Sequence, residues 1–278
     1  MRVEGSGLVR IDDPADPRIA EFRDIKERDL AGRQGRFIIE GTVVLRMAAA
    51  AHGAGSFEIE KILLLENRVE GVRDILADVP DSVPAYVASG TVLDAIAGFP
   101  LHRGILALGR RIAEPDLDGL INSLPDKALV VAACGISNHD NIGGMFRNAA
   151  AFGADAVLLD ETCCDPLYRK ALRVSVGSVL SVPYARGRSI LSLLERLAVR
   201  GLSIWALSPS GKFDLRDIPS EGQGIILVTG TEGEGLPDAV MNRFNTARIS
   251  QRPGLDSLNA GMATGIALYE IARIQSKI

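Results

Sequence analysis

The stretch Gly224-Ile-Ile-Leu-Val-Thr-Gly-Thr-Glu-Gly-Glu-Gly-Leu-Pro237 joins a short apolar run to a glycine-rich turn with two acidic residues. Runs rich in Val, Ile and Leu, each followed by a helical pattern, are typical of a parallel sheet covered on both faces. We expect strands at 128–134, 156–160, 181–184, 202–207, 224–229 and 246–249, and helices at 141–152, 167–174, 190–199, 237–243 and 258–274. Because such α/β sheets bind ligands at the carboxyl ends of their strands, the glycine-rich turn lies where a ligand site is expected.

The N-terminal half has the pattern of a smaller α/β domain. We expect helices at 42–51 and 72–76, and strands at 59–65, 83–87 and 104–108. The stretch 113–127 contains the Pro, Gly and Asp residues that are typical of a connection. We therefore predict a first domain at 1–115, a linker at 116–127 and a second domain at 128–278.

The composition is that of an ordinary globular protein, with 47% hydrophobic and 24% charged residues among 278. No apolar run reaches the ~18 residues of a membrane span, and no secretory signal is visible, so we expect a cytoplasmic protein. The net charge of −4 weighs against a general nucleic-acid-binding protein, which is usually basic. Cys134, Cys163 and Cys164 lack C-x-x-C spacing and a second Cys/His cluster, so we predict structural thiols and no metal.

Two further motifs share the C-terminal half with the glycine-rich turn. They are Asn141-Ile-Gly-Gly-Met-Phe-Arg147 and Asp256-Ser-Leu-Asn-Ala-Gly-Met-Ala263. In this order and at these separations, the three motifs resemble those of the SpoU (TrmH-type) RNA ribose methyltransferases of the SPOUT superfamily. The resemblance implies a parallel α/β catalytic domain with a deep trefoil knot, and a homodimer. It also implies transfer of a methyl group from S-adenosylmethionine to a ribose 2′-hydroxyl of rRNA or tRNA.

The same resemblance assigns roles to individual residues. Those implied for catalysis are Arg147, Asn141, Glu232, Ser257 and Asn259, and those implied for cofactor binding are Thr229, Gly230, Gly235, Leu236, Ile249 and Leu258. The sequence departs from the family pattern at Asn138-His-Asp140, where a Pro is common, and at Ala260-Gly-Met-Ala263, where Val-Ser-Val-Ala is frequent. A non-catalytic RNA-binding or assembly factor on the same fold is the alternative function.

The N-terminal segments Gly35-Arg-Phe-Ile-Ile-Glu-Gly41 and His102-Arg-Gly-Ile-Leu-Ala107 are similar to a substrate-binding domain found ahead of the catalytic domain in many SpoU enzymes, a ribosomal-protein-like RNA-binding fold. The stretch 23–36 has five basic residues against three acidic ones, and 165–188 has five against one. A solvated helix face and contact with RNA phosphates both explain such an excess. Beside the catalytic motifs, we predict RNA contacts by Arg28, Arg33, Arg36, Arg169 and Arg173.

Residue spacing adds expectations for the site itself. On a helix that starts near Asn141, Arg147 lies opposite the apolar residues, so packing does not explain it. Asn141 is placed to cap that helix, and Asp256 or Ser257 to cap the last one. An arginine that acts as general base must first lose its proton, which costs about 7 kcal/mol at pH 7 before a sulfonium or desolvation lowers the cost. Alternatively Arg147 stays charged and clamps a phosphate, and both roles remain open.

Overall fold

The chain forms two compact units in the computed structural model, which describes residues 7–23, 34–54, 56–97, 104–113, 116–219, 222–231, 233–252, 254 and 257–278. The first unit spans Met1–Glu114 and Leu167–Leu180. The second unit spans Pro115–Pro166 and Ser181–Ile278. The chain therefore leaves the second unit after Pro166 and returns to it at Ser181.

Strands and helices alternate along most of the described chain. The strands are β1 (Val9–Ile11), β2 (Arg36–Glu40), β3 (Phe57–Leu65), β4 (Ala85–Ala88), β5 (Ile105–Arg111), β6 (Leu129–Ala133), β7 (Ala156–Leu159), β8 (Tyr184–Arg186), β9 (Ser203–Leu207), β10 (Phe213–Asp214), β11 (Ile225–Thr229) and β12 (Asn245–Arg248). The helices are α1 (Thr42–Ala51), α2 (Arg73–Asp78), α3 (Gly90–Ala97), α4 (Leu117–Ser123), α5 (His139–Ala151), α6 (Arg169–Val174), α7 (Ile190–Val199), α8 (Asp238–Arg243) and α9 (Ala260–Ile274).

The first unit is built around a five-stranded sheet in the order β1-β4-β3-β5-β2. β4 pairs in parallel with β1 and β3, whereas β5 is antiparallel to both β3 and β2. Helix α6 belongs to this unit because Arg169 and Arg173 lie 3.8 and 3.5 Å from the Glu40 carboxylate at the end of β2. A methyl group on Gly177, just after α6, would lie 2.7 Å from Cβ of Met47 in α1. These contacts place residues 167–180 with the first unit.

The second unit has a seven-stranded sheet in the order β10-β12-β9-β11-β6-β7-β8, and every neighbouring pair in it is parallel. The parallel α/β fold class predicted from the sequence is confirmed. Strands β6 and β11 are buried along their whole length, as expected for parallel strands covered on both faces. All the strands point the same way, so the loops that follow them meet at one edge of the sheet, called the carboxyl edge below.

Several elements differ from the expectations. The strand expected at 181–184 begins only at Tyr184, because Pro183 has no N–H to donate to a ladder. The predicted linker contains α4, whose N-terminus is capped by Asp116. Residues 167–180, expected within the second domain, pack with the first unit. Strands β1 and β2 and helix α3 were not expected, because runs this short show no clear periodicity.

Candidate active site

A pocket of about 300 Å³ lies at the carboxyl edge of the second unit. Its walls come from the loops after β9, β11 and β12, three strands that pair side by side in the sheet, and from the first turn of α9. The lining residues are Leu207, Ser208, Pro209, Ser210, Thr229, Gly230, Thr231, Gly233, Glu234, Gly235, Leu236, Ile249, Gln251, Ser257, Leu258, Ala260 and Ala263. The pocket thus combines apolar side chains with hydroxyl, amide and carboxylate groups, as small-molecule sites do.

The glycine-rich turn after β11 forms one wall and folds back on itself. Thr231 and Gly235 form an antiparallel bridge, and Gly235 has a φ of +71°, a backbone conformation that favours glycine. A methyl group on Gly230 would lie 2.6 Å from the carbonyl carbon and oxygen of Gly235. Gly230 is therefore required for the close approach of the two ends of the turn. Glu232, predicted for catalysis, lies outside the described residues.

All six residues predicted to bind the cofactor line this pocket, although they come from two separate connections, the turn after β11 and the loop between β12 and α9. They are Thr229, Gly230, Gly235, Leu236, Ile249 and Leu258. Ser257, predicted for catalysis, lines it as well, and so does the exposed Glu234. No role was expected for Ser208 and Ser210, although the turn-forming Ser-Pro-Ser-Gly run after β9 was an available signal.

Helix α5 carries Asn141 and Arg147, but its start differs from the expectation. The N-cap is Asn138, whose Oδ1 accepts a hydrogen bond from the Asp140 N–H at 2.8 Å. The expectation that Asn141 caps the helix was therefore wrong, because the helix begins two residues earlier, at His139. Asn141 lies buried in the first turns of α5. Arg147 is exposed, and within the described residues it forms no hydrogen bond or ion pair.

Helix α9 begins after Asn259, which is its N-cap. The Asn259 Oδ1 accepts from the Met262 N–H at 3.1 Å, so the prediction of Ser257 as the cap was wrong, and the alternative Asp256 lies outside the described residues. The same side chain donates from Nδ2 to Oδ1 of Asn141 at 2.8 Å. Two residues predicted for catalysis, 118 positions apart in the chain, are thus directly hydrogen-bonded.

Small residues let α5 and α9 approach closely. Asn148 donates from Nδ2 to the carbonyl of Gly261 at 3.1 Å, and a methyl group on Gly265 would lie 2.6 Å from the same amide nitrogen. At the other face of α9, the hydroxyl of Thr264 lies 3.1 Å from that of Thr229, the last residue of β11. Helix α9 therefore contacts α5 on one side and the start of the glycine-rich turn on the other.

Residues 128–269 match the model of the SpoU rRNA methylase family. The chain belongs to this family. An uncharacterized tRNA/rRNA methyltransferase of Mycobacterium bovis is 34% identical over 278 residues, which cover 97% of this chain and 93% of that protein. The 23S rRNA (guanosine-2′-O-)-methyltransferase of Xanthomonas campestris is 25% identical over 228 residues, covering 75% of this chain and 91% of that protein. The structure of an rRNA methyltransferase from Sinorhizobium meliloti with bound S-adenosylmethionine has a TM-score of 0.81 at 22% identity, covering 97% and 99% of the two chains, so the fold is shared.

The arginines predicted to contact RNA in this SpoU chain have acidic partners where they are described. Arg36 pairs with Glu60 at 2.9 Å, and Arg169 and Arg173 share the buried Glu40. Arg28 and Arg33 lie outside the described residues. The acidic partners offset part of the positive charge, so the excess of arginine seen in the sequence overstates the charge available to phosphates.

The cysteines of the SpoU domain are held as thiols near the carboxyl edge. Burial raises the pKa of Cys134 to about 12, with a further contribution from the Asp160 carboxylate. Burial also raises the pKa of Cys163, and it raises the pKa of Cys164 to about 11. Burial opposes the charge of Asp160, but hydrogen bonds from Thr162, Gly135 and Cys163 outweigh it and lower the pKa of that carboxyl. The thiols are therefore protonated at neutral pH and do not supply a nucleophile.

The described part of the SpoU chain shows neither a metal cluster nor a membrane-spanning helix. No group of three or more His, Cys, Asp or Glu side chains there is arranged to hold a metal ion. None of the helices formed by those residues has both the length and the apolar character needed to cross a membrane.

Proposed function

We propose that this chain methylates a ribose 2′-hydroxyl of rRNA or tRNA with S-adenosylmethionine. The observation that carries the proposal is the pocket at the carboxyl edge, because it gathers residues predicted for the cofactor from separate motifs. Two relatives support it: the Sinorhizobium meliloti protein binds S-adenosylmethionine, and the Xanthomonas campestris protein is named a guanosine-2′-O-methyltransferase. Membership of the SpoU family favours the enzyme over the non-catalytic alternative.

The pocket fits the proposed cofactor in size and chemistry. S-adenosylmethionine would supply a methyl group bound to a positively charged sulfur. Leu236, Ile249 and Leu258 offer apolar surface, while the turn after β11 offers backbone polar groups and the carboxylate of Glu234. An acidic turn stabilises a cation and would repel a phosphate, so these residues suit a sulfonium better than a nucleotide phosphate.

Transfer to a ribose hydroxyl forms an O–CH3 bond, breaks the S–CH3 bond of the cofactor and releases the hydroxyl proton, which would pass to solvent. The chain must therefore position that hydroxyl in line with the methyl group. We assign the positioning to Arg147, whose exposed guanidinium is free to form two parallel hydrogen bonds with a phosphate. An exposed and charged side chain suits this role better than that of a base. The hydrogen bond between Asn141 and Asn259, at 2.8 Å, would fix the position of α5 along the axis of α9.

We further propose that the active form is a homodimer built on α9. Met262, Ile266 and Tyr269 lie on one face of this helix and are 69%, 43% and 47% exposed, a large apolar stripe for a helix surface. Pairing two copies through this stripe would bury it. Because α5 packs directly on α9, the same pairing would bring the exposed Arg147 of each copy near the second copy.

Two more features complete the proposal. The first unit, with the fold resemblance noted from its sequence, would select the RNA. The second unit would contain a trefoil knot, an idea supported by the position of β11, which is inserted between β6 and β9 although both precede it in the chain. Knots are otherwise very rare, so this part of the proposal rests on the family resemblance.

The function is tested by following a labelled methyl group. The protein should bind S-adenosylmethionine in calorimetry and transfer its methyl group to rRNA or tRNA from cells that lack the gene. Once the nucleotide is mapped, an RNA with a single 2′-deoxy substitution at that nucleotide should accept no methyl group. Continued methylation of the deoxy substrate would place the methyl group on the base and contradict the proposal.

A further inference from the structure

Two walls of the pocket are held together by side chains that do not line it. One wall is the loop after β9, with Ser208 and Ser210, and the other is the loop after β12, with Ile249 and Gln251. β9 and β12 are parallel neighbours, so both loops leave the sheet at the carboxyl edge. The distance between the walls therefore depends on what ties one loop to the other strand.

Arg248, the last residue of β12, ties the β9 loop to this strand through the loop backbone. Its Nη1 donates to the carbonyl oxygens of Gly211 at 2.8 Å and Lys212 at 2.9 Å. Hydrogen bonds from a charged donor are stronger than those between neutral groups. Arg248 directly precedes the pocket residue Ile249, so the backbone joins this arginine directly to the second wall.

Three more contacts fix the same loop against β12. The hydroxyl of Thr246 accepts from the Lys212 N–H at 3.0 Å, and the Ser208 N–H donates to the carbonyl of Ala247 at 2.9 Å. Gly211 lies so close to β12 that a methyl group on it would overlap the Ala247 carbonyl. The loop cannot move away from β12 without losing these contacts.

A second link runs in the opposite direction, from β10 to the β12 loop. The buried carboxylate of Asp214 accepts a hydrogen bond from the hydroxyl of Ser250, which lies between the pocket residues Ile249 and Gln251. Arg216 donates to the same carboxylate from Nε at 2.7 Å. Arg248 of β12 thus holds the β9 loop, and Asp214 of β10, the strand that follows the β9 loop in the chain, holds the β12 loop.

We propose that Arg248 is a positioning residue that sets the affinity of the pocket for S-adenosylmethionine. Through the carbonyls of Gly211 and Lys212 it fixes the distance between the two walls, and it does so without contacting the reacting atoms. The inference rests on the function proposed for the pocket. It predicts an effect confined to the cofactor: the KM for S-adenosylmethionine rises, while kcat and the KM for RNA stay unchanged.

Two substitutions of Arg248 test its proposed role in positioning the two walls. Arg248→Met removes the donor and keeps a long side chain, whereas Arg248→Lys keeps a charged nitrogen, and a single nitrogen makes both bonds in the native protein. We expect the Kd for S-adenosylmethionine, measured by calorimetry, to rise about 10-fold in the Met variant and to stay within about 3-fold in the Lys variant. Arg243→Met is the matched control, because Arg243 pairs with Glu195 on the surface and does not line the pocket.

The outcomes separate the inference from the function on which it rests. A folded Arg248→Met protein that binds S-adenosylmethionine as the wild type does, or that loses kcat with an unchanged KM, would overturn the proposal. If that variant does not fold, Thr246→Val is the deciding substitution, because it removes only the hydroxyl that accepts a hydrogen bond from the Lys212 N–H. We expect it to bind S-adenosylmethionine about 3-fold more weakly. Unchanged binding would refute the proposal that these links between the walls set the affinity. A wild-type protein that binds neither S-adenosylmethionine nor its demethylated product would instead refute the function of the pocket.

Discussion

The described residues that were predicted for cofactor binding and catalysis lie either in the pocket or on the α5–α9 helix pair, and these two regions are built in different ways. The pocket consists mainly of loop backbone, with Gly230 packed against the carbonyl of Gly235. The helix pair is joined by side-chain amides, because Asn259 donates to Asn141 and Asn148 donates to a backbone carbonyl. Substitutions in the pocket should therefore act through backbone geometry, and those in the helix pair through hydrogen bonds.

Helix α9 takes part in both regions, which limits how far they are independent. Its residues Ala260 and Ala263 line the pocket, while Gly261 contacts α5. Thr264, one turn further on, contacts Thr229 at the start of the glycine-rich turn. Cofactor binding and catalysis should thus be separable by substitutions away from α9, and coupled by substitutions within it.

The largest separation is expected at Arg147, which is exposed on α5 and is not among the residues that line the pocket. Arg147→Ala should lower the single-turnover rate of methylation by about 100-fold or more, as the loss of one hydrogen-bond donor to the transition state does in other enzymes. The Kd for S-adenosylmethionine should stay within about 2-fold, because the pocket keeps its lining. Rate and affinity are measured by quenched-flow methylation and calorimetry.

Two further variants decide what Arg147 contributes. Arg147→Lys should also be slow, because an ammonium cannot form the planar fork that clamps a phosphate. Arg243→Ala, which removes an exposed arginine that pairs with Glu195, should keep the full rate. Full activity in the Lys variant would show that a positive charge alone is sufficient and would contradict the clamp.

Gly230 should show the opposite separation, with a loss of cofactor affinity. Gly230→Ala places a methyl group 2.6 Å from the Gly235 carbonyl, and such overpacking costs about 1–3 kcal/mol. This corresponds to a Kd for S-adenosylmethionine about 5- to 150-fold higher, measured by calorimetry. Gly71→Ala is the control, because a methyl group there meets nothing within 4 Å and Gly71 does not line the pocket, so its Kd should match that of the wild type. Unchanged affinity in Gly230→Ala would contradict a role for close packing.

The apolar face of α9 belongs to neither region, and the proposed dimer gives it a function. Ile266→Glu places a charge in the middle of the stripe formed with Met262 and Tyr269, and should convert the dimer to a monomer at micromolar concentration. Val199→Glu is the control, because Val199 is 89% exposed on α7 and should leave the mass in sedimentation unchanged. A wild-type monomer at the same concentration would contradict the proposed assembly.

The fold could be predicted from the sequence where burial leaves a long pattern. Strands β6, β9 and β11 read as continuous apolar runs because helices cover both faces of the sheet. Strand β1 and helix α4 are short and amphipathic, so their patterns resemble those of loops. The packing of residues 167–180 with the first unit depends on Arg169, Arg173 and the distant Glu40, a pairing that no local pattern indicates.

In the candidate site, too, some features follow from local sequence patterns and others depend on contacts between distant segments. The residues predicted to bind the cofactor come from local motifs, and the structure brings them to one pocket that no local pattern indicates. Their role in binding stays a prediction. The loop with Ser208 and Ser210 was missed because it reaches the pocket through the pairing of β9 with both β11 and β12. Asn141 was wrongly expected to cap α5, because both Asn138 and Asn141 are residue types that suit a helix start. The structure shows that Asn138 is the cap and that Asn141 accepts a hydrogen bond from Asn259.

Asn259 joins the two regions, so its substitutions should lower the free energy of unfolding more than they weaken cofactor binding. Asn259→Ala removes the N-cap of α9 and leaves the buried Oδ1 of Asn141 without this donor, which should lower the free energy of unfolding by about 1–3 kcal/mol. Asn259→Ser keeps a capping oxygen and should lose less. Urea unfolding measures both, and an equal loss in the two variants would show that the cap contributes little.

The smallest effect is expected from the cysteines, which lie outside the pocket lining. Burial raises the pKa of Cys134 from 9.0 to about 12, so the folded state holds its proton more tightly than the unfolded state does. The stability that this provides is complete below about pH 9 and is lost as the pH rises from 9 towards 12. In urea unfolding between about pH 8.5 and 10.5, Cys134→Ala should therefore lose stability less steeply than the wild type. A steeper loss would mean that the thiol ionises readily in the folded protein, and rapid inactivation by a thiol reagent near neutral pH would point the same way.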